Sequence, residues 1–145
     1  LSRMTVRRLD AEQVRDAMLA VGGNLDPTAG GSLMDVMNRT YATGGNAAPD
    51  VVKRMHYDSP RRSVYLPVVR NAVYDLFAAF DFPEPGTVTG RRDATTVAPQ
   101  ALYLMNAPFV RRQGTAFAER VQGAATDDRG RVTAAYELAY SRPPT

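Results

Sequence analysis

A chain of 145 residues, 44% of them hydrophobic, is long enough to bury one core and too short for two ordinary domains. It has no cysteine, which excludes a thiol nucleophile, thiolate metal centres, disulfides and the thioether attachment of c-type haem. Its formal charge of +3 is carried almost wholly by arginine, Lys53 being the single lysine, so its cations are planar forks suited to carboxylates and phosphates.

No apolar run approaches the roughly 18 residues of a membrane span. No charged-then-apolar leader follows Leu1. Leu1 and the terminal Pro143-Pro144-Thr145 read as the edges of a fragment of a longer protein. The single histidine, His56, would have to serve any Ser-His-Asp triad or histidine-ligated metal. It sits in the least patterned stretch, beside Tyr57, Asp58, Ser59 and Pro60, and is read as a loop histidine.

Asp10 precedes Ala11-Glu12-Gln13-Val14 as an N-cap, with Gln13 completing a capping box and Leu9 facing Val14 as a staple. Val14, Ala17, Met18 and Val21 then share a helical face, with Arg15 and Asp16 on the polar side, until Gly22-Gly23 stops the helix. From Asn24 to Pro60 the period is lost. Asp26-Pro27-Thr28-Ala29-Gly30-Gly31 is turn chemistry, Leu33 to Met37 offers one weak helical turn, and residues 41–60 are expected to be a variable or mobile loop. Gly30-Gly31 lacks the spacing of a phosphate-binding loop, so no nucleotide is expected there.

Residues 63–69 alternate in the manner of a strand. No second strand is available to pair with them, and Pro67 cannot donate to a ladder, so at most a short extended or helical lead-in is expected. Val69, Val73, Leu76, Phe77 and Phe80 form the stripe of a second helix ending at Asp81, where Phe82-Pro83-Glu84-Pro85-Gly86 prevents continuation. Pro99 suits the first turn of a third helix whose buried residues are expected to be Ala101, Leu102, Leu104 and Met105. Asn106 closes it, and Pro108 opens a fourth. There Val110, Gly114, Phe117 and Val121 share a face, and Gly114 is expected to admit a close backbone neighbour. Thr126 or Asp127 caps a last helix lined inside by Val132, Ala135, Tyr136, Leu138 and Ala139, with Asp128 in its first turn. The fold class is mostly α, an irregular bundle of about five helices with long loops, in a single domain over residues 1–145.

Four stretches carry a resemblance: RRLDAEQVRDAMLAV at Arg7–Val21, YLPVVRN at Tyr65–Asn71, FDFPEP at Phe80–Pro85 and GRRDATTVAPQAL at Gly90–Leu102. The chain resembles the bacterial domain of unknown function 1553, abundant in planctomycetes, with residues 40–60 as the divergent part. The resemblance implies a C-terminal position in a large exported protein, periplasmic or at the cell surface. Such proteins often carry a planctomycete-type cytochrome c module and a second uncharacterised domain. It supplies no activity and no catalytic residues. Haem belongs to the other module, so no cofactor is expected here.

The most distinctive stretch is Phe80–Val110. Its candidate anion site is Arg91, Arg92, Thr95 and Thr96 before a helix N-terminus, joined by Arg62 and Arg70 if the extended segment lies alongside. Such a fork suits a sulfate, a phosphate or the carboxylate of an acidic polysaccharide. The opposing reading pairs Arg91 and Arg92 with Asp81, Glu84, Asp93 or backbone carbonyls and makes Thr95 or Thr96 a cap. Asp81, Glu84 and Asp93 are also where a glycosidase carboxylate pair would be sought. Arginines interleaved with acids, as in Arg15-Asp16 and Arg91-Arg92-Asp93, argue against a nucleic-acid face. The expected function is a non-catalytic accessory or interaction domain whose partners are other domains of the same polypeptide. Binding of a polyanion or carbohydrate by the arginine cluster is the alternative, with carboxylate-based glycoside hydrolysis behind it. No catalytic residue, cofactor or metal is expected.

Overall fold

The computed structural model describes residues 7–31, 33, 57–70 and 73–145. Among these residues lie five α-helices: α1 (Ala11–Val21), α2 (Asp75–Ala79), α3 (Ala98–Asn106), α4 (Pro108–Ala124) and α5 (Asp128–Tyr140). A 3-10 turn, Ser63–Tyr65, stands between α1 and α2. The only β pairing among the described residues is one isolated parallel bridge between Asp26 and Arg61. The mostly α expectation therefore holds, and the segment at 63–69 is a short turn with an extended continuation. His56, the turn expected after Leu33 and residues 41–56 of the expected loop lie outside the described residues.

Local rules account for both ends of α1. The Asp10 N–H donates to Gln13 Oε1 at 3.0 Å, half of the expected capping box. Gly23 takes the left-handed conformation at φ +78, and a Cβ on Gly22 would stand 2.9 Å from Gln113 Oε1, so this stop is also where α4 crosses closely. Arg120 of α4 donates to the terminal carbonyls of Ala20 and Val21 at 3.0 and 3.1 Å.

Which face of α1 turns inward is not what its apolar period predicts. The fully buried residues are Ala11, Arg15 and Leu19, whereas Val14, Ala17, Met18 and Val21 are half-buried. Arg15, read from the sequence as polar-side, has 0% exposure. Its burial is possible because the returning segment supplies acceptors. Nη1 donates to Arg61 O at 2.9 Å and Ser63 Oγ at 3.2 Å, and Nη2 donates to Tyr57 O at 3.0 Å and to Ser59 O. The guanidinium also stands 5.6 Å from the Phe109 ring centroid. Arg61 repeats the device, donating to Thr28 O at 2.8 Å and to Gly30 O while lying 4.3 Å over the Tyr65 ring.

Around Arg15 packs a core of Ala11, Leu19, Tyr57, Leu66, Val69, Leu76, Phe77, Phe80 and Phe109. Tyr57 stacks on Tyr74 at 4.6 Å and Phe77 on Phe82 at 4.9 Å, while Phe80 meets Tyr103 edge-on at 6.3 Å. Each such buried side chain contributes about 1.5–3 kcal/mol by removal from water. The expected second helix is shorter than its stripe. Val69 is buried but lies outside any helix, and α2 is confined to Asp75–Ala79 because Tyr74 is extended at ψ 131 and Asp81 turns left-handed at φ 59.

α1 packs on α2, α4 and the 3-10 turn; α3 bridges α2 and α4; and α5 lies on α4. Asn106 does close α3 and Pro108 does open α4, and Asp127 caps α5 by accepting from the Gly130 N–H at 3.3 Å. Three expectations about burial fail in this half. Ala101, Leu102, Leu104 and Met105 of α3 are exposed, and the residue turned inward is Gln100. Gln100 Nε2 donates to Thr95 O at 3.1 Å and its Oε1 accepts from the Val97 N–H at 3.4 Å, so satisfying loop backbone sets the rotation of the helix. Gly114 meets nothing within 4 Å of where a Cβ would stand, so it admits no close neighbour. On α5 the expectation fails only in part: Ala135, Tyr136 and Leu138 are half-buried, whereas Val132 is 49% exposed, Ala139 is exposed, and no residue is fully buried.

Candidate functional site

The loop expected to hold an anion is tied down by its own carboxylates. Asp81 accepts from the Thr95 N–H and the Thr95 hydroxyl, each at 2.8 Å, and Arg8 lies 3.3 Å from the same carboxylate. These bonds, the backbone one foremost, hold the Asp81 carboxyl below its usual range. Arg92 forks onto Glu12 in the first turn of α1 at 2.6 and 2.9 Å, with its guanidinium 5.7 Å from the Phe82 ring. Burial pushes the Glu12 carboxyl up, but the Arg92 hydrogen bonds and charge outweigh it and leave Glu12 lowered. Arg92 and Thr95 therefore fasten the loop across the N-terminal end of α1.

The six residues predicted for the site stand in different settings. Arg91 and Thr96 stand exposed on the loop, and Arg70 is exposed ahead of α2. Arg62 is exposed beside a depression of about 290 Å³ shared with Glu12, Asp16 and Phe82. Among the described residues none of Arg62, Arg70 and Arg91 forms an ion pair. Asp81 and Asp93 share a crevice of about 20 Å³, which admits no more than a water, so no sugar fits between them.

A different place has the size and chemistry of a site. A groove of about 710 Å³ runs between the start of α2 and the α3–α4 junction, lined by Asp58, Tyr74, Asp75, Tyr103, Asn106 and Arg112 over a floor of Ala107, Pro108 and Phe109. The break at Ala107 builds it, because ending α3 and restarting at Pro108 brings Tyr103, Asn106 and Arg112 to one wall. Arg112 pairs with Asp58 at 2.6 Å. Asn106 Nδ2 donates to Leu102 O at 2.8 Å, which leaves its carbonyl oxygen for another donor. Asp75 has no ion-pair partner among the described residues.

Behind this wall stands the buried Arg15. Burial pushes the Tyr74 and Tyr103 hydroxyls up and the Tyr57 hydroxyl to about 12, so all three are neutral at physiological pH. The Tyr103 hydroxyl and the Arg15 guanidinium, both facing the Tyr74 oxygen, offset part of the rise at Tyr74. Burial pulls Arg15 itself below its usual range, opposed by Tyr74 and Asp16. None of the six groove residues was singled out by sequence reasoning as a site residue. The one local signal was the helix break at Asn106–Pro108, which marks a junction without saying what faces it.

A third feature is the outward side of α3. Leu102 is 58%, Leu104 41% and Met105 74% exposed, and Val97 just before the helix is 46% exposed. No described helix is long and apolar enough to cross a membrane. Among the described residues no group of three or more histidine, aspartate or glutamate side chains could hold a metal.

The stretches shared with the domain of unknown function are thus spread through the core and the fastened loop. The family described as PSD1, protein of unknown function (DUF1553), matches residues 1–145. The chain belongs to the DUF1553 family. Comparison with curated proteins and with solved structures found no match.

Proposed function

We propose that this DUF1553 chain is a non-catalytic docking module of a larger exported polypeptide, and that the outer face of α3 seats a neighbouring domain of that polypeptide. One observation carries this reading: Ala98, Ala101, Leu102 and Met105, at the i, i+3, i+4 and i+7 spacing of a core-facing stripe, all point to solvent. α3 has no charged residue along its length, the composition of an interface centre rather than of a solvated face. Gln100 anchors the opposite side to the loop, so the stripe cannot be turned inward without breaking two hydrogen bonds. The alternative of a polyanion held by the arginine loop has less to work with, since Arg92 and Thr95 are already engaged by Glu12 and Asp81.

Hydrogen exchange tests the docking. Amides of Ala98–Asn106 exchange more slowly in the full-length polypeptide than in the 145-residue chain, and Leu102→Asp with Met105→Asp removes that protection. Equal exchange in the two contexts would sink the reading. An association between copies of the isolated chain that Leu102→Asp abolishes would assign the face to self-assembly instead.

A further inference from the structure

The groove lined by Asp58, Tyr74, Asp75, Tyr103, Asn106 and Arg112 opens on the side of α3 that carries Tyr103, roughly opposite Met105, and meets the docking face only at Asn106, one turn on from Leu102. We infer that this groove is a binding site for a neutral oligosaccharide. Three observations carry the assignment.

The first is charge balance. Asp58 is paired with Arg112 at 2.6 Å, and Arg15, buried behind the Phe109 floor, stands 3.7 Å from Asp16, so Asp75 is the one charge of the lining without an ion-pair partner among the described residues. An anionic ligand is repelled by the Asp75 carboxylate, whereas a sugar hydroxyl can donate to it. A polyhydroxylated neutral one meets no repulsion.

The second is the kind of polar group. A carboxylate, a carboxamide and a guanidinium are planar and present two atoms side by side, the spacing at which adjacent sugar hydroxyls are bridged. Asp75 is exposed with no ion-pair partner among the described residues, and the Asn106 carbonyl oxygen is left over from its amide's bond to Leu102. The Tyr103 hydroxyl, turned to the Tyr74 oxygen, keeps acceptor capacity for a ligand donor. The wall thus mixes donors and acceptors as a polyol does, whereas a site for a phosphate or sulfate would present donors alone.

The third is shape. The groove is open and about 710 Å³, within the range of ligand clefts and ample for two or three sugar rings. Tyr74 and Tyr103 supply aromatic carbon on which the C–H face of a pyranose can rest. Tyr74 is held flat by its stack on Tyr57 at 4.6 Å and 9°. A ring already fixed costs no ordering when a ligand arrives.

The experiment is titration of the full chain with neutral oligosaccharides of four to six residues (cellohexaose, maltohexaose, mannohexaose), followed by calorimetry and by amide chemical shifts. At least one is expected to bind saturably, with shifts gathered at Tyr103, Asn106 and Arg112. Asp75→Ala and Asn106→Ala, both at exposed positions, each weaken binding about tenfold or more through a lost hydrogen bond. Tyr103→Phe, which keeps the ring, weakens it less than Tyr103→Ala. No saturable binding to any neutral oligosaccharide at millimolar concentration overturns the assignment. So does binding that Asp75→Ala and Asn106→Ala leave unchanged. A groove that responds only to sulfated oligosaccharides or to arginine methyl ester would be an ion site, and the inference would be wrong. Loss of α3 protection in the exchange experiment leaves this outcome untouched, so the two readings fail separately.

Discussion

In residues 7–82 buried side chains come from α1, from the returning segment and from α2, whereas in residues 98–145 only Gln100, Ala107 and Phe109 are buried and α5 buries none. The supply of apolar residues does not explain the difference. α3, with two leucines and a methionine in nine residues, is at least as apolar as α1, yet it shows those three side chains to solvent. What differs is where polar anchors attach. Four acceptors at residues 57–63 draw Arg15 into the core and carry the flanks of α1 with it. The loop before α3 draws in Gln100 and leaves its apolar stripe outside. Helix orientation here follows the satisfaction of backbone groups more than the hydrophobic period.

The strongest way to break this contrast is Arg15→Ala. It removes the buried donors to the carbonyls of Tyr57, Ser59 and Arg61 and leaves a cavity beside Phe109, so a loss of about 3–5 kcal/mol is expected in urea titration followed by circular dichroism. Arg15→Met refills volume and recovers only part, because the guanidinium donors stay missing. Full stability in either variant would show that the aromatic core alone holds the first half.

Paired leucines sharpen the comparison next. Leu76→Ala, at 0% exposure, is expected to cost about 2–5 kcal/mol. Leu102→Ala, at 58% exposure, is expected to change stability by about 0.5 kcal/mol or less. Similar losses at both would mean that α3 is as buried in solution as α2.

A small effect, below that of Leu76→Ala, is expected where the loop between the two halves is fastened to α1. Arg92→Ala removes a fork that is 39% exposed on the arginine side, worth about 1 kcal/mol or less after solvent screening. Its pH signature is more telling than its size. The Glu12 carboxyl is lowered in the folded state, so its contribution is complete above the unfolded value of about 4.3 and is lost as pH falls through the lower folded value. An acid titration of stability should therefore be shallower in Arg92→Ala than in the parent. Identical acid slopes would place the proton-linked stability elsewhere, with Asp81 and its Thr95 bonds the next group to change.

Much of the secondary structure was legible because its signals are local. The Gln13 cap, the Gly22-Gly23 stop, the Asn106–Pro108 junction and the Asp127 cap each depend on residues within four positions, and each is present. The loop expected to hold an anion was legible only as a choice between two uses of Arg91 and Arg92. For Arg92 the geometry selects the internal carboxylate, although the carboxylate is Glu12, 80 residues away, rather than the nearby Asp81, Glu84 or Asp93. The groove was not legible at all: Asp58 and its partner Arg112 are 54 residues apart, and Tyr74 and Tyr103 fall outside the apolar stripes read from the sequence.

Sequence by itself therefore determined that the chain is mostly helical, where most helices start and stop, and which stretches mark it as DUF1553. Those facts rest on backbone preferences and caps that act over one turn. Only the tertiary structure decided which way each helix faces. That choice depends on hydrogen bonds between groups far apart in the chain, such as Arg15 to Tyr57, 42 residues on, and no periodicity in either segment encodes it.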